Sequence, residues 1–243
     1  MYPRRGLHGE VVHRIGLMIL RGELLPGELL PNDDELTGEL AVSRTVLRES
    51  VKVLAAKGLV EARPKTGTRV TPRRNWNLLD PDVLAWRFEA SPDADFFRNI
   101  VELRRIVEPE AALLAAERAT DEEVAELRAA FADMESAMDD PDAYLEADLR
   151  FHELILRGCH NELLEHMAAM MRAVFRALFV ATRTPESVRT STAVHGAIVA
   201  AVAVRDGAAA ERGTRDLIED TALRLERTLA RRRPRASRRR ARG

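Results

Sequence analysis

A mostly α-helical fold in two parts is predicted by three features of the sequence. Helical patterns fill the first sixty residues and give way to two strand-like pieces around a Pro/Gly turn. Beyond residue 91 every segment carries the spacing of a helix, and charge is divided unevenly along the chain. Residues 1–75 hold 13 Lys/Arg against 9 Asp/Glu, residues 76–230 hold 17 against 30, and residues 231–243 hold eight Arg and no acid. The net charge of −1 therefore conceals a basic front, an acidic body and a basic tail, and only part of the chain suits a polyanion.

The first helix is predicted over Leu7–Arg21, where Leu7, Val11, Ile15, Met18 and Ile19 fall at helical spacing. After the link "LLPGELLP", Asn32 can cap a short helix with Glu35 as its capping-box partner. The turn "LAVS" follows, and Ser43 caps a third helix that runs to about Lys57 and stops at Gly58. "LVEAR", "PKTG" and "TRV" then read as a hairpin. Three helices and a hairpin make a winged helix-turn-helix, assigned to residues 1–74. Residues 75–91 have no clear period but carry both tryptophans and several leucines, which are costly to leave in water, so a packed linker is expected.

Six helices are predicted next, near 92–118, 121–138, 141–158, 161–183, 190–205 and 207–231. Their start signals are Ser91-Pro92, Thr120 with Glu123, Asp140-Pro141 and Pro185 with Ser187. Residues 92–231 are thus an all-α antiparallel bundle, and 232–243 a basic disordered tail. The tail is a solvated extension or a source of non-specific DNA affinity. Cys159 is the single cysteine, so no intramolecular disulfide can form and a reducing cytoplasm is expected. There is no signal-peptide pattern, and the apolar run "AIVAAVAV" at residues 197–204 is too short for a bilayer, so no membrane partner is expected.

In "VSRTVLRES", Val46, Leu47, Val51 and Leu54 belong to a buried face while Arg44, Thr45, Arg48 and Lys52 project outward at the N-terminal end. Free N–H groups and the positive dipole end favour phosphate there, and arginine can grip guanine O6/N7 through two bonds. On the hairpin, Arg63, Lys65 and Arg69 could reach the backbone or minor groove. An isolated helix with such cations would be an ordinary solvated face. Here the short helix, the turn, the Arg-rich helix and the basic hairpin arrive in order.

The stretch "LLPGELLPNDDELTGELAVSRTVLRESVKVLAAKGLVEARPKTGTRV" resembles the DNA-binding domain of the GntR family of bacterial transcriptional regulators. The resemblance implies operator contacts by Arg44, Thr45 and Arg48 and a wing tip at Lys65, Thr66 and Gly67. One departure is Asp34, where the family commonly has a basic residue. Asp33, Asp34 and Glu35 suit the helix dipole but would repel phosphate.

In the body, Asp148, His152, Ile155 and Cys159 share one helix face that is otherwise apolar, and buried polar groups demand partners. Asp and His one turn apart form half of a divalent-metal site suited to Zn, Mn, Ni or Fe, and His195 on a later stripe is an available third ligand. A satisfied core pair of His152 and Asp148 is the structural alternative. The helical body resembles the FCD effector-binding domain of the subfamily named for the fatty-acid regulator FadR. That resemblance implies a metal held by Asp148, His152 and His195, with Leu217 standing where a fourth ligand is usual and Asp216 or Asp220 as possible substitutes. It also implies Arg104 and Asn161 in the effector pocket; Arg172 and Arg176 are further candidates. Arginine suits a carboxylate because its fork offers two parallel charge-assisted bonds.

The stretches "WNLLDPDVLAW" and "RPKTGTRV" resemble regulators of sugar-acid catabolism, the galactonate-responsive type in particular. The expectation is a non-enzymatic homodimeric repressor that binds double-stranded operator DNA and is released by a small carboxylate such as a sugar acid, or by another organic acid or acyl ligand. Asp148, His152 and His195 could alternatively generate a hydroxide in a metal-dependent hydrolase. That reading lacks a general base in a recognisable motif and leaves the front domain unexplained.

Overall fold

The computed structural model describes residues 6–63, 66–90 and 93–232. It divides into two units, Met1–Asp93 with Ala169–Val174, and Ala94–Ala168 with Phe175–Gly243. The expected start signal Ser91-Pro92, the wing residue Lys65 and residues 233–243 of the basic tail lie outside the described residues.

In the first unit, helix α1 (Leu7–Arg21), α2 (Asp33–Leu40) and α3 (Arg44–Ala56) are followed by strands β1 (Val60–Arg63) and β2 (Gly67–Val70). The capping box at α2 forms as its spacing requires: the Glu35 N–H donates to Asn32 Oδ1 at 2.9 Å and the Asn32 N–H to Glu35 Oε2 at 3.2 Å. Ala41 takes φ 54° to close the tight turn, and Ser43 Oγ then accepts from the Val46 N–H. Val12, Ile15, Leu36, Leu47, Leu54, Leu59 and Val70 meet in one core. Each such side chain contributes roughly 1.5–3 kcal/mol by leaving water. The buried face of α3 differs in detail from the expected one, because Leu47, Ser50 and Leu54 are inside while Val46 and Val51 are half-buried. Ser50 satisfies itself by donating to the Val46 carbonyl.

Two stretches read as connections are more ordered than their composition suggested. The link before α2 pairs with β2: the Leu30 N–H donates to the Thr68 carbonyl at 2.8 Å and the Val70 N–H to the Glu28 carbonyl at 2.9 Å. Within residues 75–91, expected as a packed linker without period, Pro81–Glu89 form helix α4, capped by Asp80 and starting on Pro81. Nine residues are too few to display a periodicity, but Asp-Pro was a legible start signal. Trp86 of α4 lies so close to α1 that a Cβ on Gly16 would stand 2.6 Å from its ring.

The second unit holds α5 (Ala94–Arg118), α6 (Asp121–Ser136), α7 (Pro141–Gly158), α8 (Glu162–Thr182, apart from Ala169–Val174), α9 (Pro185–Ala203) and α10 (Gly207–Arg232). Helix α9 starts at its capping box of Thr184 and Ser187 rather than near residue 190. Helix α10 packs on α5 and α9, α6 on α7 and α9, and α5 on α7 and α9. Among the described residues, no helix is long and apolar enough to cross a membrane.

Candidate nucleic-acid interface and metal centre

Arg44, Thr45 and Arg48 are exposed at the head of α3, whereas Leu47 and Leu54 are buried. Arg48 makes no hydrogen bond or ion pair with a described residue, whereas Arg44 donates from Nη2 to Asp34 Oδ1 at 2.5 Å. Thr66 and Gly67 are exposed at the start of β2, and Gly67 has φ 94°, a conformation open chiefly to glycine. Two further hairpin cations have partners within the fold: Arg69 donates to the Gly27 carbonyl at 2.9 Å, and the exposed Arg63 pairs with Glu61 at 2.9 Å.

Sequence reasoning missed Lys57. It is buried at the end of α3, and its Nζ lies 2.8 Å from both oxygens of Asp80 and from Asp82 Oδ2. Burial alone would lower the ammonium pKa; the bonds to Asp80 and Asp82 outweigh it and hold the group above its usual range. The pattern Asp-x-Asp around a helix start was visible, but nothing in the sequence linked it to a lysine twenty-odd residues earlier.

In the second unit, α7 and α9 bring Asp148, His152 and His195 together, all three buried. His195 Nε2 lies 3.3 Å from Asp148 Oδ1 and 3.5 Å from His152 Nε2, and His152 Nε2 lies 3.9 Å from Asp148 Oδ1. The Ser191 carbonyl, 2.8 Å from His195 Nδ1, can only accept. The proton of the neutral ring is therefore on Nδ1, and Nε2 presents a lone pair to the cluster. His195 Nε2 and Asp148 Oδ1 then face each other as two acceptors, which demands a shared proton or cation.

The donor set suits a metal. Ligands about 2.0–2.1 Å from a tetrahedral centre stand roughly 3.4 Å apart, within the range of these three separations. Burial pushes the Asp148 carboxyl up to about 7 against the pull of Arg104, and pushes His195 down to about 4. His152 is also held well below its usual range by burial, with His195 and Arg104 adding to it.

Leu217 does occupy the flank of this cluster, lining the same cleft. Neither acid that might replace a fourth ligand is placed to do so: Asp216 is exposed, and Asp220 is ion-paired with Arg224. The cleft has an empty volume of about 470 Å³, part of it open to solvent. Arg104 lines it but is held by Glu108 through two bonds of 2.6 and 3.0 Å.

The other three effector candidates fall outside the lining. Asn161 caps α8, accepting from the Leu163 and Leu164 N–H groups, and Arg176 is exposed and paired with Glu146. Arg172 is half-buried on α8 away from the cleft. The cleft is lined instead by Arg183 and Arg224, which sequence reasoning did not single out, with the hydroxyls of Tyr144, Thr182, Ser191 and Thr221. A signal existed for two of them: Leu217, Thr221 and Arg224 recur at four and three residues, one face of α10.

A winged helix with arginines at the head of its third helix, carried in one chain with a helical domain that holds a polar cleft, defines a DNA-binding regulator of transcription. Residues 7–70 match the bacterial regulatory proteins of the gntR family and residues 99–220 match the FCD domain; the chain belongs to the gntR family, with an FCD domain as its helical part. Over 218 residues, 89% of this chain and 95% of the relative, it is 35% identical to the galactonate operon transcriptional repressor of Escherichia coli (strain K12). It is 30% identical to the regulator LutR of Bacillus subtilis (strain 168) over 80% of this chain and 90% of the relative.

Among solved structures, Lar, which controls expression of the Listeria monocytogenes agr system, superimposes with a TM-score of 0.67. At 20% identity, over 92% of this chain and 98% of that one, it shows a shared fold. The chain is a non-enzymatic transcription regulator, as its family is.

Proposed function

We propose that the protein is a homodimeric repressor that leaves its operator when a small hydroxylated carboxylate, a sugar acid of the hexonate class, enters the FCD cleft beside a divalent transition metal. On the DNA side, Arg44, Thr45 and Arg48 read the groove while Lys65, Thr66 and Gly67 meet the flanking backbone. Two copies related by a two-fold axis suit the symmetric half-sites that such regulators bind.

The observation that carries the ligand class is the chemistry of the cleft wall. Thr182 donates its hydroxyl proton to the Leu178 carbonyl and Thr221 donates to the Leu217 carbonyl. The Thr182 oxygen keeps its lone pairs and the Thr221 oxygen keeps one, the other accepting from Arg224 Nη2 at 3.2 Å; a polyol, whose hydroxyls donate, is the complementary ligand. Arg183 supplies positive charge for a carboxylate, and Arg224, paired with Asp220, can add to it where a ligand competes for that pair. Asp148, His152 and His195 would hold the metal, Zn, Mn, Ni or Fe, which when bound supplies Lewis-acid positions for a hydroxyl and a carboxylate oxygen. The name of the E. coli relative, a repressor of a galactonate operon, supports the same class.

The test is release of the protein from the DNA upstream of its own gene, followed by fluorescence anisotropy while galactonate and other hexonates are titrated in. A coupling of about 1–3 kcal/mol weakens operator binding roughly 5–150-fold. Release by a fatty acyl thioester or an amino acid, with none by hexonates, would overturn the ligand class and leave the regulator standing.

A further inference from the structure

We propose that Asp34 is a specificity-determining residue of the DNA-binding domain: its carboxylate holds the Arg44 guanidinium for reading base edges and withholds it from phosphate. The inference rests on the reading of Arg44 as a base contact given above.

Arg44 and Asp34 are joined at 2.5 Å, yet their side chains are 68% and 77% exposed. An exposed pair of this kind adds little to folding stability. Asp34 is not needed to start its helix either, because Asn32 and Glu35 form the capping box of α2 between themselves. A carboxylate in the middle of a DNA-facing surface opposes phosphate, so its placement calls for a reason other than stability or affinity.

The contrast with Arg48 supplies one. Arg48 is one turn further along α3, exposed, and bonded to no described residue, so it is free to follow the phosphate backbone. Arg44 is tethered by one of its five N–H donors, which restrains where the fork lies and leaves other donors to reach outward. Its charge is also locally cancelled. A phosphate meets a carboxylate beside the guanidinium and is repelled, whereas guanine O6 and N7 are uncharged acceptors and pay much less of that penalty. The pair therefore converts a general attraction for polyanion into a directional contact, as pre-organised recognition requires.

The experiment uses the full-length chain and a duplex selected by it from random DNA. Dissociation constants are measured for that duplex, for its single-base variants and for a scrambled duplex at several salt concentrations. Asp34→Ala and the shape-preserving Asp34→Asn should each bind the scrambled duplex more tightly, with a salt slope steeper by about one phosphate contact. Both should lose about tenfold in discrimination at one base position. Asp34→Glu should recover part of it, and in an Arg44→Ala background Asp34→Ala should cause no further loss of discrimination, while removal of the carboxylate still tightens binding to the scrambled duplex.

If Arg44→Ala loses discrimination but the Asp34 variants keep it, the role of Asp34 is refuted while Arg44 remains a base contact. If Arg44→Ala itself discriminates normally, the reading of Arg44 fails and the inference fails with it. An equal loss from Asp34→Ala with and without Arg44 would make Asp34 a direct contact and overturn the positioning role.

Discussion

Arg104 and Glu108, one turn apart on α5, are bound to each other through two parallel hydrogen bonds, and both are buried. Burial pushes the Glu108 carboxyl up, and Arg104 opposes that shift. The guanidinium also lies 5.2 Å from the centre of the Phe175 ring. The arginine expected to meet an effector is therefore already compensated, and a ligand would have to compete with Glu108 for it or use another cation.

Glu108→Ala leaves Arg104 buried and unpaired, and should cost about 3–5 kcal/mol. Urea denaturation measures it. The double replacement Arg104→Met with Glu108→Leu should recover most of that loss, because an apolar pair of similar volume needs no charge compensation. A double variant as unstable as the single one would show that the pair does more than satisfy itself.

Lys57→Met should destabilise the first unit by about 3 kcal/mol, since it removes the buried ammonium that bonds both Asp80 and Asp82 at the start of α4. Thermal unfolding followed by tryptophan fluorescence is a direct readout, because Lys57 Nζ lies 5.7 Å from the centre of the Trp86 ring. An unchanged melting curve would deny the triad its structural role.

Affinity for Zn or Mn should fall as the solution is made more acidic than about pH 7. The Asp148 carboxyl, pushed up to about 7, must lose its proton before it can ligate. The sign follows from that competition: above 7 the carboxylate is free, and below 7 each pH unit costs roughly tenfold in affinity. His195, pushed down to about 4, adds no competing proton until the medium is far more acidic. Calorimetric titration at several pH values checks the slope, and Asp148→Asn should abolish it while weakening binding.

Two glycines separate backbone need from ordinary tolerance. Gly58 has φ 75°, and a Cβ there would lie 2.1 Å from the Asn75 carbonyl oxygen, so Gly58→Ala should destabilise by several kcal/mol or prevent folding. Gly38, inside α2, has nothing within 4 Å of an added Cβ, and Gly38→Ala should stabilise by about 0.5–1 kcal/mol. Chemical denaturation of the two variants side by side would reveal any failure of this ordering.

Much of the fold was legible because its signals are local. Asn32 with Glu35, Ser43 and Gly58 each satisfy helix-end groups within a few residues, so their meaning survives without a tertiary context. Helix α4 was hidden because nine residues give no period, and the strand-like pairing of Glu28 and Leu30 with β2 was hidden because it joins segments forty residues apart. In the cleft, the i to i+4 spacing exposed Asp148 and His152, while Arg172 and Arg176 carried no local mark that told a lining position from a surface one.

By itself, the sequence determined the order of the helices other than α4, most of their caps, the arginines at the head of α3 and the acid and imidazole on one stripe of α7, since each depends on spacings of three or four residues along a single element. Only the tertiary structure decided that His195 meets Asp148, that Glu108 claims Arg104 from one side of the cleft while Arg183 and Arg224 line it, and that Asp34 reaches Arg44. Such pairings depend on how helices cross and on which rotamers their side chains adopt once packed, and neither is written in the periodicity of one helix.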